Sequence, residues 1–300
     1  MSLRFSIIVP THNRAALLDR CLMAIDELDY AKTYFEVLVV DDGSEQSLDE
    51  LKTRFSHRLP LKVFRTEGVG PASARNLALR SASGDYVVFT DDDCRPEPQW
   101  LNAFDEAIEQ QPGCGFGGKI VDSPSNGIYG RTSQLLVSFL YDYNENSNGL
   151  RFFCSNNLAF PRLALLAIGG FDESFPLAAA EDRYLCACWL KQAKLVFLPA
   201  AIVEHRQLLG LRSFIRQQFR YGRGACQFWR RRQADDKAGN RLEPWQFYSR
   251  MLAYPFLRVS FSRALAMSAL LVLSQIAVAF GYYSEKVQSR ERSRPLPEIS

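Results

Sequence analysis

Apolar and polar positions alternate between two periods over the first 120 residues. Short runs rich in Val, Ile and Phe predict strands at Phe5–Val9, Glu36–Val40, Leu61–Phe64 and Asp85–Phe89. Stripes at helical spacing lie between them. Leu17, Leu18, Cys21, Leu22, Ile25 and Leu28 share one face. The segment PASARNLALRSAS, from Pro71, opens with proline in its first turn, where the missing N–H has no helical partner to lose. Repeated strand–helix–strand units imply an α/β fold with a parallel sheet covered on both faces. In open sheets of that kind, ligands bind beyond the carboxyl ends of the strands. After Gly118 the alternation loosens and turns more aromatic, which suits a continuation of the same domain.

The C-terminal pattern is different. Ala264–Tyr283, ALAMSALLVLSQIAVAFGYY, is twenty residues without a charge, about the length that crosses a bilayer as a helix. Arg263 before it, Tyr282-Tyr283 at its end and the approach YPFLRVSFSR favour membrane association. Ser268, Ser274 and Gln275 suit a buried core helix instead. Spanning and interfacial placements both remain open, and basic residues at both ends set no orientation. The charged tail from Ser284 is expected to be disordered.

Composition adds three constraints. Three hundred residues, 47% of them apolar, can build one large domain or two modest ones. The net charge of +3 hides an asymmetry: Arg206–Arg263 carries thirteen Lys and Arg against three Asp and Glu. Within it, SFIRQQFRYGRGACQFWRRR spaces Arg and aromatic residues as a helix face would. No nucleic-acid-binding module accompanies that segment, so an anionic lipid surface is the expected partner, with no nucleic acid. It could also close over a bound anion through Arg220 or Arg223, or remain an ordinary solvated basic face. Seven cysteines, an odd number, with Cys186-Ala-Cys188 lacking zinc spacing, imply reduced thiols in a cytosolic setting. The first apolar stretch, Phe5 to Pro10, is too short for a signal peptide.

Two acidic clusters follow predicted strands, Asp41-Asp42-Gly43-Ser44 and Asp91-Asp92-Asp93. Side chains two apart on an extended segment share a face, about 6–7 Å apart. Asp91 and Asp93 would therefore face one ligand while Asp92 faces elsewhere. Two carboxylates that close repel, so one takes up a proton unless a cation compensates, and a divalent ion completed by a diphosphate is one that fits. An acidic loop open to water is the plain alternative.

Five segments occur in one order: SIIVPTHNR (Ser6–Arg14), VVDDGS (Val39–Ser44), GVGPASARNLALRSASGDYVVFTDDDC (Gly68–Cys94), GGFDESF (Gly169–Phe175) and AAAEDRYLCACWL (Ala178–Leu190). Together they resemble the family 2 glycosyltransferases, inverting enzymes of GT-A fold that use nucleotide-sugar donors. The resemblance covers roughly residues 4–206. It implies that Pro10, Thr11, Asn13 and Asp42 hold the nucleoside, and that Arg75 faces the base or a phosphate unless it is a surface arginine. It implies Asp93 on the metal and Asp91 on the donor, with Asp92 kept because three consecutive aspartates leave the register open by one. Asp182, of the Glu181-Asp182 pair, takes the place of the catalytic base, or of a helix N-cap, or both. His205 stands where a histidine completes the metal site. Asn156 and Asn157 fall where sugar hydroxyls are contacted.

The combined expectation has four parts: a GT-A catalytic domain over 1–206, a basic, aromatic helical extension over 207–262, a membrane-associated or transmembrane helix over 263–283, and a tail over 284–300. The resemblance implies an inverting glycosyltransferase that moves a sugar from a UDP-, GDP- or dTDP-linked donor, with Mg²⁺ or Mn²⁺. The apolar tail points to a lipid-linked or envelope glycan acceptor, and with the reduced thiols to the cytoplasmic side of the cell membrane. Nucleotidyltransferases share the sheet and paired aspartates, but carry a Gly- and Lys-rich loop that VPTHNR lacks. A non-catalytic scaffold that binds sugar nucleotides is the non-enzymatic alternative, disfavoured by intact Asp42, Asp93 and Asp182.

Overall fold

The computed structural model describes residues 3–145, 152–175, 179–236 and 243–292. The predicted strands form as β1 (Phe5–Thr11), β2 (Phe35–Asp42), β3 (Leu61–Thr66) and β4 (Tyr86–Phe89). Helices α1 (Ala15–Asp26), α2 (Asp49–Ser56) and α3 (Pro71–Ser81) connect them. There follow β5 (Cys94–Pro96), α4 (Trp100–Gln110), β6 (Gly115–Asp122), α5 (Ile128–Glu145), β7 (Leu158–Pro161), α6 (Arg162–Ala167), α7 (Glu181–Trp189) and β8 (Leu195–His205). All later elements are helical: α8 (Leu211–Asp236), α9 (Trp245–Ala253) and α10 (Phe261–Arg292).

One eight-stranded sheet runs β3-β2-β1-β4-β7-β6-β8-β5. The first four strands are parallel, as the pattern predicts. Beyond them the sheet is mixed: β7 runs antiparallel to both β4 and β6, and β5 runs antiparallel to β8. These strands are only three and four residues long, Cys94–Pro96 and Leu158–Pro161, too short for periodicity to distinguish from a loop.

The sheet is covered twice. On one face Phe5, Ile7 and Val9 pack with Leu18, Cys21, Leu22 and Ile25 of α1 and with Trp100 and Phe104 of α4. On the other, Ile8, Leu38, Val40 and Phe89 meet Ala78 and Leu79 of α3 and Leu185 and Trp189 of α7. Each large side chain so buried contributes about 1.5–3 kcal/mol. Burial on both faces makes β1, β2 and β4 continuous in apolar residues and pushes polar chemistry to their ends.

Helix α10 lies along α8. A Cβ at Gly222 would come within 2.0 Å of the Val278 carbonyl oxygen, and one at Gly281 within 2.0 Å of the Phe219 carbonyl oxygen. Two glycines thus let the backbones touch. Ala264, Met267, Leu271, Ser274, Ala277 and Glu285 form the buried stripe of α10. The opposite face exposes Phe261, Leu265, Val272, Ile276, Phe280 and Tyr283. The expected disordered tail is corrected over 284–292, which continues α10, because Glu285 belongs to that stripe. It accepts hydrogen bonds from Arg223 Nε at 2.7 Å and Gln227 Nε2 at 2.9 Å. Residues 293–300 lie outside the described residues. Arg223, one of the two arginines that could close over a bound anion, is thus tied to Glu285 through its Nε.

Candidate active site

The chain leaves β4 at Phe89 and turns at once, the Cys94 N–H donating to the Asp91 carbonyl at 3.1 Å. The three aspartates therefore sit in a turn, and alternation along a strand does not apply to them. Each faces a different partner. Asp91 accepts from Arg75 Nη2 at 2.8 Å. Asp92, expected to face elsewhere, is buried and accepts from Thr11 Oγ1 at 2.7 Å. Asp93 meets Arg14 Nη1 at 3.1 Å and His205 Nε2 at 3.3 Å. His205 arrives through tertiary pairing: β5 aligns Cys94 with His205 at the end of β8.

Burial drives the Asp92 carboxyl up to about 7, helped by the negative charge of Asp93 and opposed by Arg14 and Thr11. Burial acts the same way on Asp93, but His205 and Arg14 outweigh it and hold Asp93 below the usual carboxylate range. His205 is the mirror case: burial pushes it down, and Asp93 more than restores it. Its Nδ1 lies 3.2 Å from Gln134 Oε1 and 2.9 Å from Gln207 Nε2. The ligand atoms of Asp93, Cys94 and His205 fall within 4.8 Å of one another. Burial raises the Cys94 thiol well above its ordinary value, so it stays protonated. A carboxylate oxygen and an imidazole nitrogen remain, a donor pair that fits a divalent cation finished by phosphate oxygens. Arg14, 53% exposed in its side chain, lies against the same carboxylates.

The end of β2 shapes the neighbouring pocket wall. Asp42 accepts from Thr66 Oγ1 at 2.6 Å and from the N–H groups of Val69 and Gly70 at 2.8 and 2.9 Å. It thereby fixes the loop before α3, where Gly68 and Gly70 take positive φ. Asp41 accepts from the Ser44 N–H and Arg65. Pro10 is half-buried on β1 opposite Val40. Asn13, at φ 55°, braces the loop: its N–H donates to Ser44 Oγ and its Oδ1 accepts from the Glu45 N–H, both at 2.8 Å.

Helix α7 supplies the facing carboxylates. Ala180 precedes it with φ 73°, a left-handed conformation that costs a non-glycine residue about 1 kcal/mol or more. Glu181 is buried; one oxygen takes Arg75 Nη1 at 3.2 Å, and Oε2 has no partner among the described residues. Asp182 accepts from the Ser155 N–H at 3.2 Å and the Arg183 N–H at 2.7 Å. Burial, then the charge of Asp182, raises Glu181 to about 7, and burial raises Asp182. Arg75 is fully enclosed rather than a surface residue, and it joins Asp91 to Glu181. Asn157 is spent on structure, donating to the Lys119 and Ala201 carbonyls and accepting from Trp100, which corrects its expected contact with a sugar. Asn156 Oδ1 is buried without a partner among the described residues.

Sequence reading passes over Arg14, Gln134 and Tyr221. Arg14 could be suspected from its place three residues after Thr11 at the end of β1. The other two lie on α5 and α8 and carry no local signal. Tyr221 is 38% exposed as a residue, yet enclosure of its phenol, then Cys154, Asp182, Glu181 and Asp93, push that group well above its ordinary value.

The family model described as "Glycosyl transferase family 2" matches residues 6–169. Glycosyltransferase AglE of Haloferax volcanii is 29% identical over 235 residues, covering 75% of this chain and 73% of that protein. Chondroitin synthase of Escherichia coli is 28% identical over 212 residues, 59% of this chain but 31% of its own length. The chain thus spans under a third of that relative. Among solved structures, Staphylococcus aureus TarS 1–349 with UDP-GlcNAc superposes with a TM-score of 0.58 at 20% identity, covering 99% of this chain and 95% of that one. Mannosyltransferase PcManGT from Pyrobaculum calidifontis, with GDP-Man and Mn²⁺, gives 0.61 at 22% identity, covering 99% and 82%. At such identities these structures establish the GT-A-like fold.

Proposed function

The chain belongs to glycosyl transferase family 2 and is a glycosyltransferase, and from that premise we propose that it moves a sugar from a nucleotide-diphosphate donor to a lipid-linked or envelope glycan acceptor, with inversion, at the cytoplasmic face of a membrane. The observation that carries the reading is that buried Arg75 ties Asp91, of the same turn as the His205-paired Asp93, to Glu181, the neighbour of Asp182. The loop fixed by Asp42, with Thr11 and Asn13, receives the nucleoside. Asp91 faces the donor, and Asp92 holds Thr11 in place.

Asp182 is the general base. An acceptor hydroxyl is a poor nucleophile until a carboxylate takes its proton as the new bond forms. The Ser155 and Arg183 N–H groups orient that carboxylate, and burial raises its basicity. Attack opposite the departing diphosphate inverts the anomeric centre. Asp93 and His205 would hold Mg²⁺ or Mn²⁺, and the ion, when bound, stabilises the charge of the leaving diphosphate. The GDP-Man and UDP-GlcNAc complexes of the two solved neighbours support a nucleotide-sugar donor. Seven free cysteines suit the cytoplasmic setting. Among the described residues, one helix, Phe261–Ser289, is long and apolar enough to cross a membrane, its most apolar 18-residue stretch having a mean hydropathy of 2.0. Its contact along Arg-rich α8 favours lying on the surface over spanning, because a spanning α10 would have to carry those arginines into hydrocarbon.

Incubation with UDP-, GDP- and dTDP-sugars and either metal tests the reading, following nucleotide release and thermal stabilisation. Asp93→Ala is expected to lose metal-dependent stabilisation by the donor. Asp182→Asn should keep donor binding and lose about 10²–10⁴-fold in kcat. No donor binding in wild type, or full activity in Asp182→Asn, sinks the assignment.

A further inference from the structure

A cavity of about 760 Å³ lies between β6, β8, α5 and the start of α10, within the size range of small-molecule sites. Its apolar wall includes Ile120, Leu135, Phe197 and Met267. Four cations line it: Lys119, Arg131, Arg258 and Arg263. Arg131 is matched by Asp122 at 3.5 Å and Arg258 by Asp142 at 3.0 Å. Lys119 and Arg263 have no carboxylate within 4.0 Å among the described residues. The cavity therefore presents two unneutralised cations beside an apolar wall, the complement of an amphipathic anion.

Its position narrows the ligand further. Arg258 and Arg263 are interleaved with exposed apolar residues: Leu257 is 78% exposed, Phe261 74% and Leu265 59%. The cavity thus borders the apolar strip of α10. Its inner side touches the active site twice. Gln134 lines it and meets His205 Nδ1 at 3.2 Å. Tyr141 lines it and accepts from the Cys154 N–H at 2.7 Å, next to Ser155, whose N–H holds Asp182.

We infer that this cavity binds a long-chain lipid phosphate, with Lys119 and Arg263 on the phosphate and the chain leaving along the apolar strip of α10. The inference rests on the lipid-linked acceptor proposed above and gives that acceptor a place of entry. A lipid held here lies in the plane of a membrane covering the strip, with its phosphate end directed toward the His205 and Asp182 side of the sheet.

The test uses the full chain without any sugar nucleotide, so its failure leaves glycosyl transfer standing, and a failed donor assay leaves this titration readable. Farnesyl phosphate, below its micellar concentration, is expected to bind as one saturable equivalent. Farnesol and inorganic phosphate should each bind at least about tenfold more weakly. Lys119→Gln/Arg263→Gln, both at exposed positions, should weaken farnesyl phosphate about tenfold, leave farnesol unchanged and keep the wild-type Tm. Ser138→Phe, which fills the cavity, should abolish binding of farnesyl phosphate and farnesol alike. Equal affinity in the double variant and wild type overturns the site. So does farnesol binding as tightly as its phosphate. Competition by phosphatidylglycerol vesicles as effective as farnesyl phosphate, at equal phosphate, overturns it in favour of bulk headgroup binding.

Discussion

Arg14 illustrates how a single side chain can serve the site before any ligand arrives. Asp92 and Asp93 are adjacent carboxylates in a mostly buried turn, and the half-exposed guanidinium of Arg14 partly compensates them. On the proposed reading, a divalent ion at Asp93 and His205 would compete with that guanidinium, and a diphosphate would be attracted to it. Arg14→Gln should therefore bind Mn²⁺ several-fold more tightly in the absence of nucleotide, and bind UDP or GDP several-fold more weakly. Titration of the metal alone and of the nucleotide alone reads the two effects separately. If both affinities move in the same direction, Arg14 is not a counter-ion exchanged for the metal. Its place in the chain is legible after β1, but its partners, 78 and 79 residues away, are not.

At the scale of elements, α10 departs from the usual economy of an amphipathic helix. Its enclosed stripe mixes Met267 and Leu271 with the small or polar Ala264, Ser274, Ala277 and Glu285, while Phe261, Leu265, Val272, Ile276 and Phe280 face outward. The glycines explain how such a face can pack at all, since backbones in contact replace interlocking side chains. Gly222→Ala places a methyl group 2.0 Å from a backbone oxygen, which cannot rotate away. The helices must separate, at a cost of about 1–3 kcal/mol. A lower Tm and new protease cuts within α10 are expected, whereas substitution of exposed Phe261 should change neither. Unchanged stability in Gly222→Ala would show that the crossing is looser than described. The apolar run of α10 is plain in the sequence, but two readings of it survived there. The fold separates them onto two faces of one helix, because only a partner helix determines which side is enclosed.

For the whole molecule, buried ionisable groups make stability depend on pH. Asp92 and Glu181 are each held near 7, above ordinary carboxylates. In the range between their unfolded values and about 7 the native state binds more protons than the unfolded chain, so stability falls as pH rises. His205, raised by Asp93, acts in the same direction, losing its contribution as pH passes its folded value. Carboxylates held low, such as Glu36, act below this window. The metal- and donor-free protein should thus show a Tm that declines from pH 5 to pH 8. Glu181→Gln, neutral throughout, should show a shallower decline. A wild-type Tm that is flat across this range contradicts the burial of these groups.

The sequence by itself determined the repeating strand–helix order, the ends of the strands where carboxylates gather, the family and the two carboxylate pairs. Those features are local: apolar periodicity decides an element, and a charged residue inside a strand buried on both faces is costly unless paired, as Glu36 is with Lys62. Only the tertiary structure decided that Asp92 supports Thr11 while Asp91 and Asp93 turn apart. It alone brought His205 to Asp93 through a three-residue strand, and enclosed Arg75 between residues 16 and 106 positions away. Such contacts depend on strand order and on the direction of a turn. Neither is encoded in the spacing of apolar residues, because many orders bury the same stripes equally well.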